Sequence, residues 1–171
     1  PPQAPAGFLQ IVDCFGAPSA WATRQVSLVG LSTLYPTDPE PEFVDINARN
    51  IAVVTMQENN YVALVNLVTG QVIGGFDCGA IDLDLVDATE DDLINQVESL
   101  KGVLREPDAV TWTSTTTFVT ANEADLDGGS RGFTTWRVGG TALFDTGNTL
   151  EHHIARVGHY PESRSENKGN E

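Results

Sequence analysis

At 171 residues, 40% hydrophobic and 19% charged, the chain has the make-up of a folded domain with a core of its own. Its 24 acidic residues outnumber 9 basic ones, a formal net charge of -15. Such a surface repels phosphate backbones and argues against nucleic acid as a partner. No apolar run approaches the ~20 residues that span a bilayer, so direct membrane insertion is not expected either.

The chain opens with Pro1-Pro2-Gln3-Ala4-Pro5, which reads as a linker or a trimmed end rather than a leader peptide. Gly7 to Cys14 alternates and is rich in β-formers, predicting a strand. Gly16-Ala17-Pro18-Ser19 is turn chemistry. Trp21 to Leu34 predicts a second strand pair or one long strand, and Tyr35-Pro36-Thr37-Asp38-Pro39 a loop. Phe43 to Ile46 predicts a short strand. Ile51 to Met56 is nearly continuously apolar, as expected of a strand covered on both faces. Tyr61 to Leu67 and Gln71 to Phe76 predict two more, joined at Thr69-Gly70. Four short antiparallel strands in such quick succession describe one blade of a β-propeller.

Cys78 to Arg105 reads as an insertion. In it Thr89, the acidic run Glu90-Asp91-Asp92 and the stripe Leu93, Val97 and Leu100 predict an amphipathic helix closed by Lys101 and Gly102. Strands are then predicted at Ala109 to Thr113, Phe118 to Ala121, Gly132 to Val138 and Ala142 to Asp145. Leu150, Ile154 and Val157 mark a second short helix, and residues 159–171 a polar loop.

Behind this order lies a repeat. Glu40-Pro41-Glu42-Phe43-Val44 returns as Glu106-Pro107-Asp108-Ala109-Val110. Val54-Thr55-Met56-Gln57-Glu58 is echoed by Val119-Thr120-Ala121-Asn122-Glu123, at an offset one residue shorter. Glu171 stands where a third copy would begin. Two motifs in the same order argue for a duplicated unit. The expected fold is therefore all-β: a partial β-propeller of about two and a half four-stranded antiparallel blades, with one or two short helices in inter-blade insertions. Residues 1–38 would end a preceding blade, 39–104 form a full blade plus insertion, and 105–171 a second blade plus linker.

In such a blade the start of the first strand and the end of the second share one rim. Glu42 with Glu58, and Asp108 with Glu123, would then form part of a carboxylate circle suited to calcium, which takes several oxygen ligands. Glu42 and Asp108 equally suit capping of loop amides. Asp125-Leu126-Asp127-Gly128-Gly129 is the best single metal candidate, because alternating carboxylates followed by glycines let a chain wrap an ion. It lacks the distal glutamate of an EF-hand. Arg131 beside it has the donor geometry to grip a phosphate. His152 and His153 point to different helix faces, so one metal would not take both. No Gly-x-Ser-x-Gly elbow accompanies Ser163, Ser165 or His159. Cys14 and Cys78 lie far apart in sequence with no neighbouring ligand, fitting free thiols or one disulfide but neither a zinc site nor a redox pair.

The Glu-Pro-acidic opening, the Val-Thr-x-x-Glu run, Asp87-Ala88-Thr89-Glu90-Asp91, Thr120-Ala121-Asn122-Glu123-Ala124-Asp125 and the closing Arg164-Ser165-Glu166-Asn167-Lys168-Gly169-Asn170-Glu171 together resemble the choice-of-anchor I domain proteins. The resemblance spans residues 7–171 and departs at Ala124, where the family typically has Gly. It implies a middle piece of an extracellular or cell-surface β-propeller, partnered by the remaining blades of its parent. Some bacterial members carry an alkaline-phosphatase label. Two functions follow: a binding or scaffold module with an acidic, calcium-friendly rim, or a metal-dependent phosphomonoesterase with Glu58, Glu123 and Asp125 as ligands and Arg131 on phosphate.

Overall fold

The computed structural model describes residues 5–123 and 129–165, and within these the chain is all-β with a single α-helix. β1 (Phe8–Asp13) and β2 (Ala22–Ser27) form a two-stranded antiparallel sheet. β3 (Pro41–Ile46), β4 (Ile51–Met56), β5 (Tyr61–Asn66) and β6 (Gln71–Asp77) form a four-stranded meander in chain order. β7 (Ala80–Val86) and β8 (Glu98–Leu104) form a second hairpin. β9 (Pro107–Trp112), β10 (Thr117–Asn122), β11 (Phe133–Arg137) and β12 (Thr141–Asp145) form a second meander of the same order, followed by α1 (Thr149–Arg156).

The two meanders are copies down to their irregularities. Pro41 pairs Met56 and Val44 pairs Val54, while Pro107 pairs Asn122 and Val110 pairs Thr120, so one bulge recurs at the same place in both first strands. A second recurs on the fourth strand, between the pairs Leu64–Gly74 and Val65–Val72 and between Thr135–Phe144 and Trp136–Ala142. Bulges bend and twist a sheet at fixed points, so sharing both means sharing a shape.

This register corrects the Val-Thr-x-x-Glu echo. Met56 matches Asn122, so Thr55 matches Ala121 and Gln57 matches Glu123. A shift of one residue turns a side chain to the other face of a strand. Thr55 and Thr120 accordingly face opposite sides of their sheets. Thr55 Oγ1 donates to the Asp108 carbonyl at 2.6 Å, while Thr120 Oγ1 accepts from Trp136 Nε1 at 2.9 Å.

The sheets stack. Ile11, Val26 and Leu28 pack on Ala52, Val54, Met56, Ala63 and Val65. On the opposite face, Val53, Val62 and Leu64 share a core with Phe118 and Trp136 of the second meander. Phe76 stands 5.1 Å from Trp136 and 6.1 Å from Phe118, centroid to centroid. β4 and β5 are thus buried on both faces, which is why Ile51 to Met56 carries no polar alternation.

Two expectations fail. No helix forms over Thr89 to Gly102: pairing of Glu98–Leu104 with Ala80–Val86 wins over the helical stripe, and Gly102 enters with φ +64°, a bulge conformation rather than a helix end. The strand expected through Leu34 stops at Ser27, because the chain beyond is claimed by the β4–β5 turn. There the buried Asn59 Nδ2 donates to the carbonyls of Leu34 (3.0 Å), Tyr35 (3.3 Å) and Asp38 (3.1 Å), and its Oδ1 accepts from Glu40 N at 2.8 Å. Asn60 reaches the other way, accepting from Glu106 N at 3.0 Å and donating to the Gly79 carbonyl at 3.1 Å.

Candidate functional site

The shared register carries Glu42 and Asp108 to equivalent points inside the first-strand bulges of adjacent sheets. Their carboxyls come close enough to feel each other. The Glu42 carboxyl is pushed above the usual glutamate range by partial burial first, then by Asp108, Glu123 and Glu58. Glu40 is pushed the same way by burial and by Glu58, with which it is in hydrogen-bonding contact. Gln57 Nε2 donates to Glu123 Oε2 across the two sheets, from the position that Glu123 itself occupies in its own sheet. Glu42, Glu58, Asp108 and Glu123 therefore gather at one end of the stack.

The route to that gathering differs from the sequence expectation for one pair. Glu58 and Glu123 are not equivalents, since Glu123 matches Gln57. Among the described residues no three His, Cys, Asp or Glu side chains are arranged to hold a metal ion. Asp125 and Asp127 lie outside the described residues. Gly129, read as part of an ion-wrapping loop, has a packing role: a Cβ there would collide with the Leu104 carbonyl, which accepts from Ser130 N at 2.8 Å.

Arg131 departs from its expected role as an exposed phosphate grip. Its side chain is 0% exposed and pairs with the equally buried Glu151 at 3.0 Å. Nη1 also donates to the Asp87 carbonyl at 2.6 Å and to Tyr160 Oη at 3.4 Å, and Nη2 to the Ser165 carbonyl. Tyr160 Oη donates to Glu151 Oε1 at 2.6 Å. Burial first, then the Glu151 carboxylate, push the Tyr160 hydroxyl pKa up. This cluster ties α1 and the segment after it to the end of β7. The expected grip on phosphate, and with it the esterase constellation, has no accessible guanidinium at this position.

The remaining candidates have structural partners. His152 Nε2 lies 2.6 Å from the Leu85 carbonyl and so donates to it, pinning α1 to the β7–β8 hairpin. Asp84 accepts from Ser99 and Lys101, each at 2.7 Å. Cys78 is buried, and desolvation pushes its thiol pKa well up, so it is an inert packing residue; Cys14 is exposed, and both are free.

Three residues missed in the sequence hold the sheets together. Asp45 accepts from Trp112 N at 2.7 Å and Thr111 Oγ1 at 3.1 Å, and its own carbonyl accepts from Trp112 Nε1 at 3.1 Å. The Trp112 N–H chiefly holds its carboxyl below the usual aspartate range. Asn59 and Asn60 are the others. Doubled asparagine at a hairpin turn was the available signal, since Asn tolerates the positive φ of +48° that Asn60 adopts.

Stacked four-stranded meanders with duplicated bulges define an all-β repeat protein. The family model of the choice-of-anchor I domain matches residues 20–128, and the chain belongs to that family, whose domains are typically extracellular or associated with the cell surface. No curated protein and no solved structure matches the chain. No helix among the described residues is long and apolar enough to cross a membrane.

Proposed function

We propose that the chain is part of a surface-associated β-propeller that serves as a binding or scaffold module, with a carboxylate-rimmed end that takes calcium. One observation carries this reading: Glu42 and Asp108, far apart in sequence, lie side by side from equivalent bulges, with Glu58 and Glu123 around them. Repetition of the unit about an axis would extend that pair into a ring. A calcium ion held by oxygen ligands from several units would then offset the repulsion among these carboxylates, which adds to burial in raising the Glu42 carboxyl.

The stacking supports further units. The face of the first meander that Phe118 and Trp136 cover corresponds in register to the outer face of the second. That outer face presents Ala109, Thr111, Val119, Ala121 and Phe133 around an apolar depression of about 470 Å³. An apolar sheet face of this kind is what another equivalent sheet would cover. On this reading residues 1–38 end one blade, 39–104 form the next with the β7–β8 hairpin as its insertion, and 105–171 form a third with its linker.

The test is a calcium titration of the wild type and the double variant E42Q/D108N, followed by thermal unfolding at matched ionic strength. The expected result is a calcium-dependent rise in Tm that sodium does not reproduce and the double variant lacks. A rise identical in the variant, or none in the wild type, would overturn the calcium rim.

A further inference from the structure

The loop between β7 and β8 inverts the usual polarity of a surface segment. Its carboxylates are turned onto its own backbone. Asp87 accepts from Asn95 N at 2.8 Å and Thr89 N at 3.4 Å. Glu98 accepts from Ala88 N at 2.7 Å and Thr89 Oγ1 at 3.0 Å. Asp91 accepts from Leu93 N at 3.1 Å, and Glu162 reaches in to accept from Asp92 N at 2.8 Å. The large aliphatic side chains are left outside: Leu93 is 63% exposed, Ile94 48% and Val97 64%.

Leu85 joins them, 56% exposed in the bulge between the pairs Asp84–Ser99 and Val86–Glu98. Its φ of +59° is a left-handed conformation that a leucine adopts only under constraint. That constraint comes from α1, through His152 on the Leu85 carbonyl and Asn148 on the Asp84 carbonyl. Single exposed aliphatics need no explanation. Here three of them project from one loop and a fourth from the end of β7 that enters it, with the loop backbone fixed by carboxylates on both flanks and the strand end by the α1 segment. A surface ordered in advance loses little freedom when a partner covers it.

We propose that this loop is a docking knob for a partner protein that presents an apolar surface rimmed by lysine and arginine. The apolar requirement comes from Leu85, Leu93, Ile94 and Val97. The basic rim follows from charge: Glu90, Asp91 and Asp92 stand exposed beside the tip, and no Lys or Arg occurs from Ala80 to Leu100. The same charges oppose an anionic membrane, so the partner is a protein surface. The knob is far along the chain from the Glu42 bulge and does not depend on the calcium reading.

A synthetic amphipathic helix of leucine and lysine is the probe, with a serine and lysine helix of equal charge as its control. Binding is measured by fluorescence anisotropy at physiological ionic strength. The wild type should bind the leucine helix and not the control. The variant L93S/I94S/V97S keeps every charge and every backbone bond of the loop; its affinity should fall at least about tenfold with Tm unchanged. E90Q/D91N/D92N should weaken binding and flatten its salt dependence. Equal binding by the serine variant, equal binding of the control helix, or binding to phosphatidylserine vesicles as tight as to the helix would each overturn the proposal.

Discussion

Replacing Arg131 by methionine tests whether the segment from α1 onward is held by a buried charge pair. The side chain is roughly conserved in length, but the guanidinium and its bonds to Glu151, Asp87, Tyr160 and Ser165 are gone. Glu151, 0% exposed, would keep Tyr160 Oη at 2.6 Å and Asp87 N at 3.3 Å, both neutral donors. Breaking such a pair from one side costs about 3–5 kcal/mol, because the remaining charge stays buried without its counter-ion. For a chain of this size that corresponds to a Tm lower by about 6–20 °C. Urea unfolding gives the free energy, and hydrogen exchange locates it: amides of α1 should lose protection first. The double variant R131M/E151L removes both charges and should recover much of the loss. R131M within about 1 kcal/mol of the wild type would refute the buried clasp. So would a double variant as unstable as the sum of the singles.

Three further outcomes follow from the contacts between and within the sheets. Trp136→Ala empties the core shared by the meanders and should cost about 3–5 kcal/mol in urea unfolding, whereas Trp136→Phe should cost less, losing mainly the bond to Thr120. Asp45→Asn should cost about 1 kcal/mol near neutral pH, allowing for the partial exposure of the site. The folded Asp45 carboxyl lies below its unfolded value, so its contribution is present above the ordinary aspartate range and is lost as pH falls through the depressed folded value; the variant should flatten that loss. Glu42→Gln has the opposite sign. The folded Glu42 carboxyl is raised, so its unfavourable term builds as pH rises past the ordinary glutamate range and is complete above the raised folded value. Discounted for solvent screening, the variant should gain roughly 0.3–1 kcal/mol near neutral pH and nothing well below the glutamate range.

Most of the strands were legible because period-2 patterning and turn residues are local signals. Ile51 to Met56 was legible as doubly covered because nothing polar interrupts it except Thr55, whose hydroxyl finds the Asp108 carbonyl. The segment 89–102 was not legible. Leu93, Val97 and Leu100 satisfy a helical stripe in sequence, but what decides the outcome is non-local: β8 pairs with β7 across the loop, and Asp87 takes the Asn95 amide that a helix would have used. α1 was found through Leu150, Ile154 and Val157, yet its fully buried residue is Glu151, since the buried Arg131 just ahead of β11 waits for it. A carboxylate whose counter-ion lies in a different part of the chain gives no local sign of burial.

The duplicated period shows what the repeat preserves. The sequence offers two offsets: one carries Glu40 onto Glu106, and the other, one residue shorter, carries Thr55 onto Thr120. The pairing registers allow only the first, and in a sheet the difference of one residue exchanges faces. What has been copied is therefore the backbone path, both bulges included, and with it the placement of Glu42 and Asp108. Thr120 sits inside the core between the meanders, where its counterpart in the first meander is Val54; its hydroxyl is tolerable there because Trp136 Nε1 and Asn122 Oδ1 satisfy it. Glu58 and Glu123 reach the acidic end from non-equivalent turn positions. A unit added by the same rule would bring an acidic residue from its first-strand bulge to that end, whether or not its second strand kept the Thr-x-x-Glu letters.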